Sequence, residues 1–255
     1  ERQSLMFSAT LSNRVLELAY EHMNSPEKLR AEEGDLTASG ITEEMYHTSM
    51  EDKFPLLVHL LRKSNVERGM IFINEKRTGE KVARNLARYG FSVGILSGDV
   101  RQKKRMRILE DFSNGKLHLL VATDVASRGL HIDGVTHVFN YDLPEDAENY
   151  VHRIGRTARA GSTGTAISFS CERFCFGLPD IEAYISRQVP LFHIESGMLD
   201  IGKPTNAAAT AEGLKKEDRA EQHSGKSGSG RGSNRQGRNG QHRGGGRRPQ
   251  GTGRR

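Results

Sequence analysis

Between residues 41 and about 187, short apolar runs alternate with longer amphipathic stretches. Few folds are open to a chain written this way. The apolar runs are too uniform to leave one face wet, so they suit strands covered on both sides. The stretches between them are long enough to be crossover helices. Candidate strands are 69–73 (GMIFI), 92–96 (SVGIL), 117–122 (LHLLVA), 136–140 (THVFN) and 165–169 (TAISF). Helices are predicted over 51–63, 75–89, 101–112, 147–154 and 180–187. In the second of these, Val82, Ala83, Leu86 and Ala87 share one face that can lie on a sheet. The expectation is an α/β domain with a parallel sheet and helices on both faces.

The flanks are different in kind. Residues 11–40 hold a short predicted helix (14–20), then Asn24, Ser25 and Pro26, then the aperiodic stretch AEEGDLTASG, which reads as a linker. The chain opens at Glu1, and SLMFSA resembles the end of a buried strand without its neighbours, so a fragment is expected. At the other end, residues 222–255 hold nine Lys or Arg, eleven Gly and no acidic residue. Such a segment cannot bury a core, and a disordered basic tail is expected. The chain's formal charge is +6, so the tail's nine cations leave about −3 on residues 1–221. Mobile arginines among Gly, Ser and Asn neutralise phosphates by counterion release, which makes RNA the natural partner of the tail. A tail that only aids solubility is the plainer alternative. The organisation expected is 1–40 as the end of a preceding domain plus linker, 41–195 as the α/β domain and 196–255 as the tail.

Cys171 and Cys175 are four apart, with no second cysteine pair and no adjacent histidines to complete a zinc site. They read as reduced packing residues, and no metal site is expected on this chain. No apolar run reaches the roughly 18 residues a membrane span needs, so a cytoplasmic protein is expected.

In a doubly wound sheet, ligands bind at the carboxyl ends of the strands. Three loops there carry polar clusters. The first, Ser97-Gly98-Asp99, leads into Gln102 and Arg105 on one face of a helix start. Backbone amides and a guanidinium in that place could hold a phosphate, and a solvated basic helix is equally well supported. The second is VATDVASRGLHIDG (121–134). Capping would account for Thr123 and Asp124, whereas Arg128 and His131, placed between buried strands, call for a ligand or carboxylate nearby. The third is YVHRIGRTARAG (150–161), in which Arg153, Arg156 and Arg159 recur at every third residue. They would project from one side, a density that suits a polyphosphate, and spacing alone supports RNA phosphates equally. One apparent phosphate loop, ending in Gly225-Lys226-Ser227, lies in low complexity with no strand or helix to hold its amides, and is set aside.

These loops, with SAT at Ser8 to Thr10 and IFIN at Ile71 to Asn74, match in order and spacing the second half of the DEAD-box RNA helicases. The resemblance covers about residues 1–195, and VATDVASRG with HRIGRTARAG carries most of its specificity. It implies a RecA-like fold for 41–195 and a partner RecA-like domain upstream, with ATP and RNA clamped between the two. Arg156 and Arg159 would then act as arginine fingers. His152 would couple ATP to RNA, with Ser8 and Thr10 serving the same coupling. Arg128, Gly129 and His131 would join the two fingers at the ATP site. Asn74, Gly98, Asp99, Gln102, Arg105 and Thr123 would grip the RNA backbone without reading sequence. His131 departs from the Asp usual in RGLD, which puts the ribose contact in question. Mg2+ would be held by the upstream domain, and the chain alone would be inactive. The stretch from Cys171 through LPDIEAYISRQVP, followed by a basic tail, looks most like one bacterial branch of the family. That branch implies a role in RNA degradation with ribonuclease E as a docking partner. The competing reading is a non-enzymatic RNA-binding or scaffold module.

Overall fold

The computed structural model describes residues 3–8, 13–29, 40–64, 66–128, 130, 132–158 and 162–205. The tail from 206 onward lies outside them, as do Thr10, Gly129, His131 and Arg159. A first helix, α1 (Asn13–His22), precedes the α/β body. The body then runs β1 (Ile41–His47), α2 (Lys53–Lys63), β2 (Gly69–Phe72), α3 (Lys76–Arg88), β3 (Val93–Leu96) and α4 (Gln102–Ser113). It continues with β4 (Leu119–Ala122), the single turn α5 (Asp124–Ser127), β5 (His137–Asn140), α6 (Ala147–Ile154), β6 (Gly164–Ser170), α7 (Leu178–Ile185) and β7 (Leu191–Phe192).

The seven strands form one sheet in the order β3-β4-β2-β5-β6-β1-β7, and every neighbouring pair is parallel. Parallel neighbours require crossovers, and the helices supply them on both faces. On one face α2 and α3 cover Ile71, Val121, Phe139, Ile167 and Phe169 with Leu57, Leu61, Val82 and Leu86. On the other, α4 brings Phe112 against Met70, Phe72, Leu120 and Val138, while α6 and α7 bring Tyr150, Ile154 and Ile181 against Met45 and Ala166. All five predicted strands and all six predicted helices are present, most of them shifted by one or two residues.

The structure departs from expectation in four places, the first being the short strand β7, which was not foreseen. β1 was not foreseen as a strand, because its sequence ITEEMYH carries two glutamates. Glu43 is nevertheless buried, because Tyr150 donates its hydroxyl to Glu43 Oε2 at 2.7 Å and Arg187 pairs with the other oxygen. Burial, then the Glu43 charge, pushes the Tyr150 phenol well above its ordinary value, so it stays a donor. Residues 3–8 make no strand among the described residues, and Leu5, Met6 and Phe7 are exposed. Residues 196–205, assigned by sequence to the tail, pack instead on the α2–α3 face. Met198 is buried there with Leu199 and Ile201 against the core, and Arg62 donates to the Ile201 carbonyl at 2.9 Å.

His137, at the start of β5, stacks on Phe139 and shares a 2.9 Å hydrogen bond with the Thr136 hydroxyl. Burial lowers its pKa below 6.5, and the Glu44 charge only partly offsets this. As pH falls through 6.5 the unfolded chain takes up a proton that the folded chain resists, so this contribution is full above 6.5 and is lost below it. The melting temperature should therefore drop between pH 7 and 5.5. His137→Gln should flatten that drop; an equal drop in the variant would assign the effect to other groups.

Candidate nucleotide and RNA interface

Because all strands are parallel, the loops after β2, β3, β4 and β5 emerge on one edge, and the strand order sets them side by side. A single residue of α6 locks three of them. Arg153 is only 1% exposed and spends its whole guanidinium inward. Its Nε and Nη2 grip Asp124 of α5 at 2.7 and 2.6 Å, Nη1 donates to the Asp142 carbonyl at 2.6 Å, and Nη2 also donates to Asn74 Oδ1 at 2.8 Å. The plane lies over the Phe72 ring, 5.3 Å from its centroid. Asn74 is held from two further sides. Its amide nitrogen Nδ2 donates to the Leu143 carbonyl at 2.9 Å, and its backbone N–H donates to Asp142 Oδ2 at 3.1 Å. The other Asp142 oxygen takes Lys53, a fully buried ammonium beneath the rings of Tyr141 and Phe174. Two buried cations thus fix the loops after β2, β4 and β5 as one rigid unit.

This arrangement corrects three expectations. Arg153 does not stand in a one-sided row with Arg156, because α6 ends at Ile154 and the chain turns. The N–H groups of Arg156 and Thr157 close on the carbonyls of Arg153 and Ile154 at 3.0 and 3.1 Å. Arg128 is not a buried guanidinium between strands. It is exposed and donates to Asn149 Oδ1 at 3.0 Å, and Asp124, the carboxylate of the same loop, is gripped by Arg153 instead. Capping also fails to account for Thr123 and Asp124. Thr123 occupies the N-cap position of α5 with no side-chain cap bond, and Asp124 is used as an anchor.

The remaining site residues fall into two groups along the edge. On the β3–β4 side, Gly98, Asp99 and Gln102 are exposed, and Arg105 is half-buried, donating to the Ala126 carbonyl of α5. A side chain at Gly98 would meet nothing within 4 Å, so the domain's own packing does not demand glycine there. Asp99 pairs with Lys76 at the start of α3, which raises the Lys76 pKa. On the α6 side, His152 and Arg156 are half-buried, and Arg156 Nη1 donates to the Leu130 carbonyl at 2.7 Å. The turn after Arg156 is pinned to the sheet. The Thr157 hydroxyl donates to the Val135 carbonyl at 2.6 Å and leaves no room for a side chain at Gly164, where a Cβ would lie 2.0 Å from that oxygen. Ala158 follows in a left-handed conformation at φ +53°. A non-glycine residue stays there when its surroundings over-determine it, as they do at ligand-binding turns. Ser8 is exposed on the segment before α1.

Among the described residues, no group of three His, Cys, Asp or Glu could hold a metal ion. The edge carboxylates Asp99, Asp124 and Asp142 are each engaged by a basic side chain. This donor set does not suit Mg2+. Cys171 and Cys175 are both free thiols.

Residues 52–161 match the Helicase conserved C-terminal domain. The chain also covers 96% of the solved Escherichia coli DEAD-box protein SrmB, bound to regulator of ribonuclease activity A, at 34% identity and a TM-score of 0.60 over 66% of this chain. The chain belongs to the DEAD-box RNA helicase family. Saccharomyces cerevisiae Dbp5, solved bound to RNA and ADP BeF3, superposes on 82% of this chain with a TM-score of 0.65 and 29% identity, over 54% of its own chain. The ATP-dependent RNA helicase RhlB of Xanthomonas campestris pv. campestris is 56% identical over 219 residues, 86% of this chain. Those residues span 38% of the relative's length. The branch suggested by LPDIEAYISRQVP is therefore the RhlB-like one, and the fold is the RecA-like helicase C-terminal fold.

Proposed function

We propose that this domain is the C-terminal half of an RNA-stimulated ATPase that separates short RNA duplexes. The observation that carries the reading is the Arg153 lock. It spends one arginine on holding three edge loops rigid, with Arg156 and His152 standing at one end of the edge and Gly98, Gln102, Arg105 and Thr123 at the other. A preorganised edge of this kind suits charge stabilisation in phosphoryl transfer and sequence-independent grip on a sugar-phosphate backbone.

In this reading Arg156 and Arg159 meet the γ-phosphate of ATP, and Arg128, Gly129 and His131 line the nucleoside side. His152 couples the nucleotide to RNA together with Ser8 and Thr10 of the preceding segment. Asn74, with its side chain tied to Arg153 and Leu143, serves the RNA track by positioning its loop, and Asp99 does so by orienting Lys76. Mg2+ is held by the partner RecA-like domain. The reading extends to a bacterial role in RNA degradation in the cytoplasm with ribonuclease E as a docking partner, as the resemblance to the RhlB-like branch implies, and the basic tail adds a second hold on RNA.

Gln102→Ala tests the RNA side, because Gln102 is exposed and ends no buried network. In a protein of the relatives' full length, the RNA concentration for half-maximal ATPase stimulation should rise several-fold while turnover at saturating RNA stays within about twofold. An unmoved half-point would take Gln102 out of the track.

A further inference from the structure

We infer that the RNA track continues from the edge loops onto the outward face of α4, where Lys103, Met106 and Arg107 engage the strand beyond Gln102 and Arg105. The inference rests on the proposed RNA reading and extends it to residues outside the family motifs.

The stretch from Arg101 to Arg107, RQKKRMR, carries five cations and no acid, in a chain whose residues 1–221 are acidic overall. Arg101, Lys103, Met106 and Arg107 are all exposed, and helical spacing places 103, 106 and 107 on one stripe. The pairing of Arg107 with Asp111 at 3.8 Å is a surface ion pair, with Arg107 65% exposed, and such pairs yield readily to a phosphate. Within this charge, Met106 exposes 57% of its surface. Arg105 ties α4 to α5 through the Ala126 carbonyl, and there Val125, 74% exposed, is a second uncovered apolar side chain. Cations with interleaved apolar side chains suit a single strand. Phosphates take the charge, and the faces of riboses or unstacked bases take the apolar groups. Continuity with the loop at Gly98 and Asp99 favours RNA over an acidic protein segment as the occupant.

Charge alone would not single out α4, since α3 also carries five cations, Lys76, Arg77, Lys81, Arg84 and Arg88. But α3 covers the opposite face of the sheet, and its exposed Lys81 and Arg84 provide a control.

Binding of the full chain to a short fluorescent oligouridine should be followed by anisotropy across a salt series. Lys103→Gln with Arg107→Gln should lower the slope of log K against log salt by about 1.4, since each phosphate contact on a single strand contributes about 0.7. Met106→Ala should weaken binding with the slope unchanged, and Lys81→Gln with Arg84→Gln should leave both as in the parent. A parent that binds RNA normally, with a slope unaltered by the α4 pair, would overturn the inference and leave the proposed function standing. Equal slope losses from the α3 and α4 pairs would overturn it as non-specific charge. Loss of binding to a polyglutamate peptide, with RNA binding intact, would assign the face to an acidic protein instead. A parent that binds no RNA would overturn the inference and the RNA reading together.

Discussion

In a full-length protein carrying this domain, Arg156→Ala should lower RNA-stimulated ATP turnover by about a thousandfold or more, the scale on which arginine fingers act in phosphoryl transfer. The effect should be this large because the guanidinium is placed before the reaction begins. The turn that carries it is closed on Arg153 and Ile154, pinned through Thr157 to Val135, and held at Arg156 itself by the Leu130 carbonyl at 2.7 Å. A donor already in place pays no reorganisation when charge develops. RNA affinity measured without nucleotide should stay within about twofold, because the finger acts on the transition state. Arg156→Lys should also be strongly impaired, since a point charge does not reproduce the planar fork. Near-normal turnover in either variant would remove Arg156 from the reaction.

Lys53→Met should be the most destabilising single change among the buried ion pairs, costing about 3–5 kcal/mol. The comparison with Arg153 shows why. Lys53 and Asp142 expose 0% and 2% of their side chains, so removing the ammonium strands a carboxylate that cannot rehydrate, with the Asn74 N–H the one donor left to it among the described residues. Asp124, the partner of Arg153, is 23% exposed and can recover water. Arg153→Met should therefore cost less stability than Lys53→Met. It should still disable the joined enzyme, because Asn74 and the loop after β4 lose their common anchor. Urea unfolding reads the difference directly. The midpoint of Lys53→Met should fall well below that of Arg153→Met at similar slope, and the reverse order would show that the Asp142 cluster is not dry.

The parts of this fold that were legible in the sequence are those decided locally. β2 and β4 are continuous apolar runs and could be little else once both faces are covered. α6 was predicted with its actual limits. α7 begins earlier and ends earlier than its apolar pattern suggests, because Pro179 fits its first turn and Ser186 stops it in a left-handed conformation. β1 was hidden because Glu43 becomes a core residue only through Tyr150 and Arg187, which lie 107 and 144 positions away. The site divides in the same way. Spacing put Gly98 and Thr123 on the strand-end loops and Gln102 at a helix start, where they are found. It could not tell Arg153 from Arg156, since a row of arginines looks uniform until Asp124, Asn74 and Phe72, from three separate places in the chain, select one of them for the interior.

As proposed, this domain is half of a split ATPase whose edge works only against a second RecA-like domain. RNA-stimulated ATP hydrolysis should be measured on the 255-residue chain alone and on the chain joined behind the upstream half of its Xanthomonas campestris relative. The chain alone should show no turnover above background, and the joined protein should show RNA-dependent turnover that Arg156→Ala abolishes. Turnover by the chain alone, or a correctly folded joined protein that binds RNA and never hydrolyses ATP, would contradict the proposal. The second of those results would leave an RNA-binding module in its place.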